Sequence, residues 1–137
     1  MIVSTRGRYA LRILIELAEL DKGGYTPMKT IAENQGLSLK YLERILPVLT
    51  QNKILEGVQG KNGGYRLCRK PEEYTVDEIL LLTEGDLAPV SCLECGAEAC
   101  SRLEDCRTIS MWSDFHKLIH DYFSGITLAD LMRKEHG

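Results

Sequence analysis

ILEGVQGKNGGYRLC, residues 54–68, is the stretch on which the fold turns. Apolar Ile54, Val58, Tyr65 and Leu67 flank a run of Gly, Lys and Asn. Gly and Asn tolerate positive φ, so the stretch reads as two short strands around a flexible turn. A purely structural turn needs only two or three such residues, and this one is longer and basic. The predicted hairpin therefore has a tip built to approach something.

Working upstream, Ser38 caps a helix that runs through Leu39, Leu42, Ile45, Leu46 and Leu49. Pro47 sits inside it, removes the bond to the Glu43 carbonyl, and predicts a kink or a weakening there. Before the Gly36-Leu37 turn, a short helix with Met28, Ile31 and Ala32 inward starts at Thr26-Pro27, a cap followed by proline at the first helical position. Residues 5–20 form an amphipathic helix, with Tyr9, Ile13, Leu17 and Leu20 at spacings of three and four beside Leu14 and Ala18. Lys22, Gly23 and Gly24 end it. Downstream, Thr75-Val76-Asp77-Glu78 has the spacing of a capping box and opens a fourth helix to about Thr83. Residues 107–123 form a long helix with Ile109, Trp112, Phe115, Ile119 and Tyr122 on one face, and Thr127-Leu128-Ala129-Asp130 caps a last short one.

Helix, helix, tight turn, helix and hairpin is the order of a winged helix-turn-helix, a mainly α (α+β) fold with a two-stranded wing. Its third helix enters the major groove with N-terminal residues foremost. Those residues are Ser38, Lys40, Tyr41, Glu43 and Arg44. Glu43 can accept from the exocyclic amine of cytosine, and Lys40 and Arg44 can donate to guanine or phosphate. The tip, with Gln59, Lys61 and Asn62, suits a minor groove, and Arg6 and Arg8 suit a phosphate beside the first helix.

The 137 residues make one domain, or one domain with an appended arm. The division expected is a DNA-binding domain over 1–84, a cysteine loop over 85–106, and a long helix with its follower over 107–137. The net charge of −3 hides an asymmetry. Residues 1–70 carry 12 Lys/Arg against 6 Asp/Glu, and residues 71–137 carry 5 against 14. The first half can thus face phosphates despite a pI near 5.6. Arg12, Glu16 and Glu19 interrupt the only stretch resembling a signal peptide, and no uncharged run approaches the ~18 residues of a membrane span. The expected location is the cytoplasm, where thiols stay reduced.

Reduced thiols make the second cluster informative. Cysteines are spaced Cys92-x2-Cys95-x4-Cys100-x5-Cys106. Four clustered thiolates suit zinc or an iron–sulfur cluster. Structural zinc usually takes two separated C-x2-C knuckles, and only one is present; a compact, unequal loop is nearer iron–sulfur usage. Cys68 reads as a small buried residue outside the ligand set. His116, His120 and His136 could ligate metal but lie far from the loop in sequence; His116 and His120 share a helix face and read as solvated or interfacial.

Ser4-Thr5-Arg6-Gly7-Arg8-Tyr9-Ala10, Leu39-Lys40-Tyr41-Leu42-Glu43, Gly60-Lys61-Asn62-Gly63-Gly64-Tyr65 and Ile126-Thr127-Leu128 together resemble one bacterial winged-helix regulator family, that of IscR, NsrR and CymR (the Rrf family). The resemblance runs from Met1 to about Met132. It implies a homodimer on a pseudo-palindromic operator, with the long helix crossing its partner's; the apolar stripe on that helix also fits monomer core. It implies contacts from the third helix and the wing, with Glu43 at the position of a base-reading glutamate. At position 59 the IscR branch tends to carry arginine and this chain has glutamine, so its operator should differ. Cluster-binding members have three loop cysteines, the last two separated as Cys100 and Cys106 are here; the first would be Cys92 or Cys95. The family's alternative fourth ligands, a histidine or an aspartate, correspond to Ile109 and Arg8. The extra cysteine is the substitute, giving an all-cysteine [2Fe–2S] or [4Fe–4S] cluster.

The leading expectation is a transcriptional regulator whose operator affinity follows cluster state. The alternatives are the same fold sensing zinc, thiol redox state or a cysteine-metabolism signal, and an electron-transfer or cluster-delivery protein. An enzyme is not expected: no His or Asp constellation accompanies a nucleophile, and Gly60-x2-Gly63-Gly64 lacks the Walker lysine and hydroxyl.

Overall fold

A computed structural model describes residues 3–20, 23–94, 96–98 and 100–133. The order is α1 (Thr5–Glu19), α2 (Met28–Gln35), α3 (Leu39–Gln51), β1 (Leu55–Val58), β2 (Gly64–Leu67), α4 (Val76–Glu84), α5 (Ile109–Ser124) and α6 (Leu128–Leu131). The winged helix-turn-helix read from the sequence is present, with a two-stranded antiparallel wing and a long helix near the C-terminus.

Local chemistry explains most boundaries. Gly36 ends α2 in the left-handed conformation (φ 65°), and the Ser38 hydroxyl accepts from the Tyr41 amide at 3.1 Å to start α3. Pro47 does not end α3. The helix continues to Gln51 because Leu42, Ile45, Leu46 and Leu49 are all buried, and packing of that face outweighs one lost backbone bond. One expected cap fails. Pro27, not Thr26, holds the cap position of α2, because the Thr26 backbone is spent on Tyr65: Thr26 N–H donates to the Tyr65 carbonyl at 2.9 Å, and Tyr65 N–H returns the bond at 2.8 Å. This bridge fastens the wing to the start of α2. Gly64, at φ 143°, is obligatory beside it, since a Cβ there would collide with the Thr26–Pro27 peptide.

The wing pairs Leu55 with Leu67, Glu56 with Arg66, Gly57 with Tyr65 and Val58 with Gly64. Period two turns Leu55 inward and places Glu56 and Arg66 outside, where they form a 3.0 Å ion pair. Cys68 continues the outer row and is exposed, which corrects its reading as a buried residue. Tyr74 is fully buried beneath the wing. Thr75 caps α4 by accepting from Glu78 N–H at 3.1 Å, but only half of the expected capping box forms: the Glu78 carboxylate is taken by Arg69 at 2.6 Å.

Two apolar cores result. The first joins α1, α2, α3, the wing base, Tyr74 and Leu128 of α6; the second joins Val76, Leu80, Leu87 and Ile119 of α5. Gly7 lets α1 cross α4 closely. A Cβ there would run into the Glu84 carboxylate and come within 3.1 Å of Leu80, and the same carboxylate accepts from the Ser4 hydroxyl at 2.6 Å. The Ser4-x2-Gly7 spacing is thus a helix-crossing device. The expected single stripe on α5 divides in two: Ile119 is buried against α4, whereas Met111, Phe115, Leu118 and Tyr122 are exposed.

Candidate nucleic-acid interface and thiol loop

The candidate reading head follows from α3. Because its apolar positions face inward, Lys40, Glu43 and Arg44 are exposed around the Ser38-capped N-terminus, beside a shallow depression of about 170 Å³ whose walls are Ser38, Lys40, Tyr41 and Arg44. Tyr41 is half-buried, edge-on to Tyr9 of α1 at 5.6 Å. Burial first, then Tyr9, lifts its hydroxyl above the usual phenol range, while Arg6 and Arg8 pull it back down. The Tyr9–Tyr41 contact brings α1 beside the start of α3, and Arg6 and Arg8 are exposed near the start of α1. A helix N-terminus, the cations of Arg6, Arg8, Lys40 and Arg44, and the Glu43 carboxylate suit a polyanion with base edges to read.

The wing tip stands beyond it. Gln59, Lys61 and Asn62 are all exposed. Gly60 (φ 96°) and Asn62 (φ 66°) make the turn, closed by Gly63 N–H to the Gly60 carbonyl at 3.0 Å. Between the tip and the end of α3 a second depression of about 220 Å³ is lined by Thr50, Gly57, Val58, Gln59 and Tyr65.

Cys92 sits in a short 3₁₀ turn, Ser91–Leu93, and Cys100 and Cys106 flank another, Leu103–Asp105. Cys92 and Cys100 are exposed free thiols and Cys106 is half-buried; Cys95 lies outside the described residues. Among the described residues no three thiol, imidazole or carboxylate groups converge. Cys106 differs from the other described loop thiols in having a hydroxyl neighbour. Its sulfur lies 3.6 Å from the Thr108 hydroxyl, and that hydroxyl first, then the Thr108 and Ile109 backbone, draws its thiol below the ordinary range.

Residues 3–134 match the family described as Rrf2, iron-dependent transcriptional regulator. The chain belongs to the Rrf2 family. It is a winged-helix transcriptional regulator, and its relatives are regulators and not enzymes. The protein rrf2 of Nitratidesulfovibrio vulgaris is 35% identical over 97% of this chain and 88% of its own length. The structure of CymR, the global cysteine regulator of B. subtilis, superposes with a TM-score of 0.79 at 31% identity, covering 96% of this chain and 95% of that one. IscR of T. potens gives 0.74 at 33%, covering 96% and 85%. No helix among the described residues is long and apolar enough to cross a membrane.

Two features of this Rrf2 chain escape the sequence reading. One is Thr108, two residues past the last loop cysteine, which no ligand spacing singles out. In reduced, metal-free protein, iodoacetamide near pH 8 is expected to modify Cys106 several-fold faster than Cys68, whose thiol is raised by desolvation first and then by Glu56. Thr108→Val should slow Cys106 selectively; equal rates before and after, followed by peptide mapping, would show that the hydroxyl does not tune it. The other is a polar joint between α4 and α5. His120 Nδ1 lies 2.9 Å from Asp77 Oδ1, and His120 Nε2 lies 3.1 Å from His116 Nε2. These imidazoles are half-buried and partnered within the chain, so they are not merely solvated.

Proposed function

We propose that this Rrf2 regulator binds a pseudo-palindromic operator as a homodimer in the cytoplasm, and that an iron–sulfur cluster held by Cys92, Cys95, Cys100 and Cys106 sets its affinity. The observation that carries this reading is the junction of loop and helix. Only Arg107 and Thr108 separate Cys106 from the start of α5, and Thr108 touches the Cys106 sulfur. The donors among the described residues suit the group: Cys92 and Cys100 are exposed free thiols, and half-buried Cys106 is biased toward the thiolate that ligates metal. Such a cluster, when bound, supplies a redox-active centre whose charge and stability respond to the surroundings.

Everything else is done by the chain. Holding Cys106 fixes the first turn of α5, and α5 carries the exposed apolar stripe through which two protomers would meet. The spacing of two reading heads then depends on the loop, so a change worth about 1–3 kcal/mol would shift affinity roughly 5–150-fold. In each head, Ser38, Lys40, Tyr41, Glu43 and Arg44 enter the major groove, with Glu43 accepting from cytosine and Lys40 and Arg44 donating to guanine or phosphate. Gln59, Lys61 and Asn62 reach the minor groove, and Arg6 and Arg8 hold backbone phosphate. Residues 1–84, 85–106 and 107–137 serve as head, sensor loop and dimer arm.

The test is the absorption spectrum of protein purified without oxygen, with iron and sulfide assayed alongside. Brown protein with sulfide-to-iron charge-transfer bands, lost in Cys100→Ala and Cys106→Ala, is expected. Colourless wild-type protein without iron would overturn the cluster reading. The similarity to CymR favours a second reading in that event, the same dimer sensing a cysteine-metabolism or thiol signal, or zinc, through the same loop. Zinc without sulfide would then distinguish a metal sensor from bare thiols.

A further inference from the structure

We infer that His116 and His120 form a chelating site for a divalent transition cation of borderline softness, Zn²⁺, Ni²⁺ or Cu²⁺, separate from the cysteine loop. The two residues are one helical turn apart on α5, the i, i+4 spacing that stacks side chains on one face. Spacing alone would be weak grounds. The geometry adds two things.

First, the two Nε2 atoms lie 3.1 Å apart, with ring planes tilted by 43°. With metal–nitrogen bonds of about 2.1 Å, that separation subtends about 95° at a shared cation, close to a square-planar or octahedral angle. Second, Asp77 of α4 selects the tautomer. With its carboxylate accepting from His120 Nδ1–H at 2.9 Å, the neutral ring presents a lone pair on Nε2. The His116 Nε2 then holds the proton between the rings. A cation entering there replaces that proton, which needs only to move to His116 Nδ1 or to solvent. A carboxylate behind a histidine whose other nitrogen meets a converging imidazole is the arrangement of a metal-binding histidine and its outer partner.

The site is reachable. The His120 side chain is 32% exposed and Asp77, behind it, 14%. Among the described residues no third donor joins the pair, so water completes the shell and the binding is modest in strength. On α5 the pair lies away from the exposed stripe of Met111, Phe115, Leu118 and Tyr122, beyond the buried Ile119 row. A cation there would fasten α5 to α4 without entering the proposed dimer seam.

The measurement is a Cu²⁺ titration of the full-length chain with its thiols capped by iodoacetamide, read by electron paramagnetic resonance, with a Ni²⁺ melting curve as a second readout. One equivalent per protomer is expected, with hyperfine structure from two imidazole nitrogens and a rise in melting temperature with Ni²⁺. His116→Gln and His120→Ala should each remove the two-nitrogen signature and the thermal rise. Asp77→Asn should weaken binding roughly 10–100-fold while keeping the signature. His136→Ala should change neither readout. Absence of a two-nitrogen signal, or its survival in His116→Gln, would overturn the site and leave an N–H···N bond that simply joins two side chains of one helix. Capping the loop thiols makes the result independent of the cluster reading.

Discussion

Tyr74→Phe is expected to lower stability by roughly 2 kcal/mol, and the melting temperature of a chain this long by about 6 °C. The ring is fully buried and the substitution keeps it, so no large cavity opens. The loss falls on the hydroxyl. It donates to the Ile54 carbonyl at 2.8 Å and accepts from the Cys68 and Arg69 amides at 3.0 and 2.9 Å. One atom thus satisfies three backbone groups where the wing leaves the domain, with the Arg69 guanidinium over the ring at 4.2 Å. Burial, the foremost influence on this phenol, raises it above the usual range, so it remains a donor across physiological pH. In the Tyr74→Phe variant, Cys68 N–H retains a 3.4 Å contact with the Ile54 carbonyl, but Arg69 N–H loses the hydroxyl it donates to. Each unsatisfied buried group costs about 1–3 kcal/mol. Tyr41→Phe, at a half-exposed ring, should stay within about 0.5 kcal/mol. A melting temperature unchanged in Tyr74→Phe would mean that the wing base relaxes to find other partners.

That hydroxyl also marks the boundary of what a sequence discloses. The Gly36-Leu37-Ser38 turn, the hairpin and the α6 cap depend on residues near one another along the chain, and all three are legible there. Thr26 has the chemistry of a cap because capping is local, whereas the bridge that claims its backbone comes from Tyr65. Glu78 has capping-box spacing, and Arg69, outside the box, wins its carboxylate. Tertiary partners override local preference, and one sequence contains no trace of which partner arrives. Cys68 is different. Leu55 and Leu67 pair, and residue 68 follows on the outer side, although Ile54 opposite it is buried, so alternation alone does not decide its exposure.

The proposed interface divides along the same line. The buried row of α3 fixes Lys40, Glu43 and Arg44 outward, so the reading head is legible from spacing. His116 and His120 are visible as a pair, but Asp77, 43 residues from His120, is not. On α5 the apolar residues fill two adjacent faces, and a helical period cannot tell the face that meets its own domain from the one left outside.

Whether the outer face joins two copies, as proposed, is open to a direct test with a large expected effect. Met111, Phe115, Leu118 and Tyr122, spaced four, three and four, are 52%, 43%, 63% and 67% exposed, and Met111, Trp112, Phe115 and Leu118 line a groove of about 590 Å³. A stripe with that spacing suits helix–helix packing along a seam. Leu118→Glu is expected to leave circular dichroism unchanged, since the side chain lies mostly in water while Ile119 anchors the helix. In a seam, however, it would bury a carboxylate beside its symmetry mate. The variant should elute at the monomer mass of 15.5 kDa. Operator affinity should fall steeply, because joining two heads raises avidity by roughly 10²–10⁴ and the variant forfeits that gain. Lys117→Gln, exposed on the far side of the same turn, supplies the matched change of one charge unit and should remain dimeric. If Leu118→Glu stays dimeric by light scattering and holds the operator as before, α5 is not the seam, and the loop before it has no dimer spacing to control.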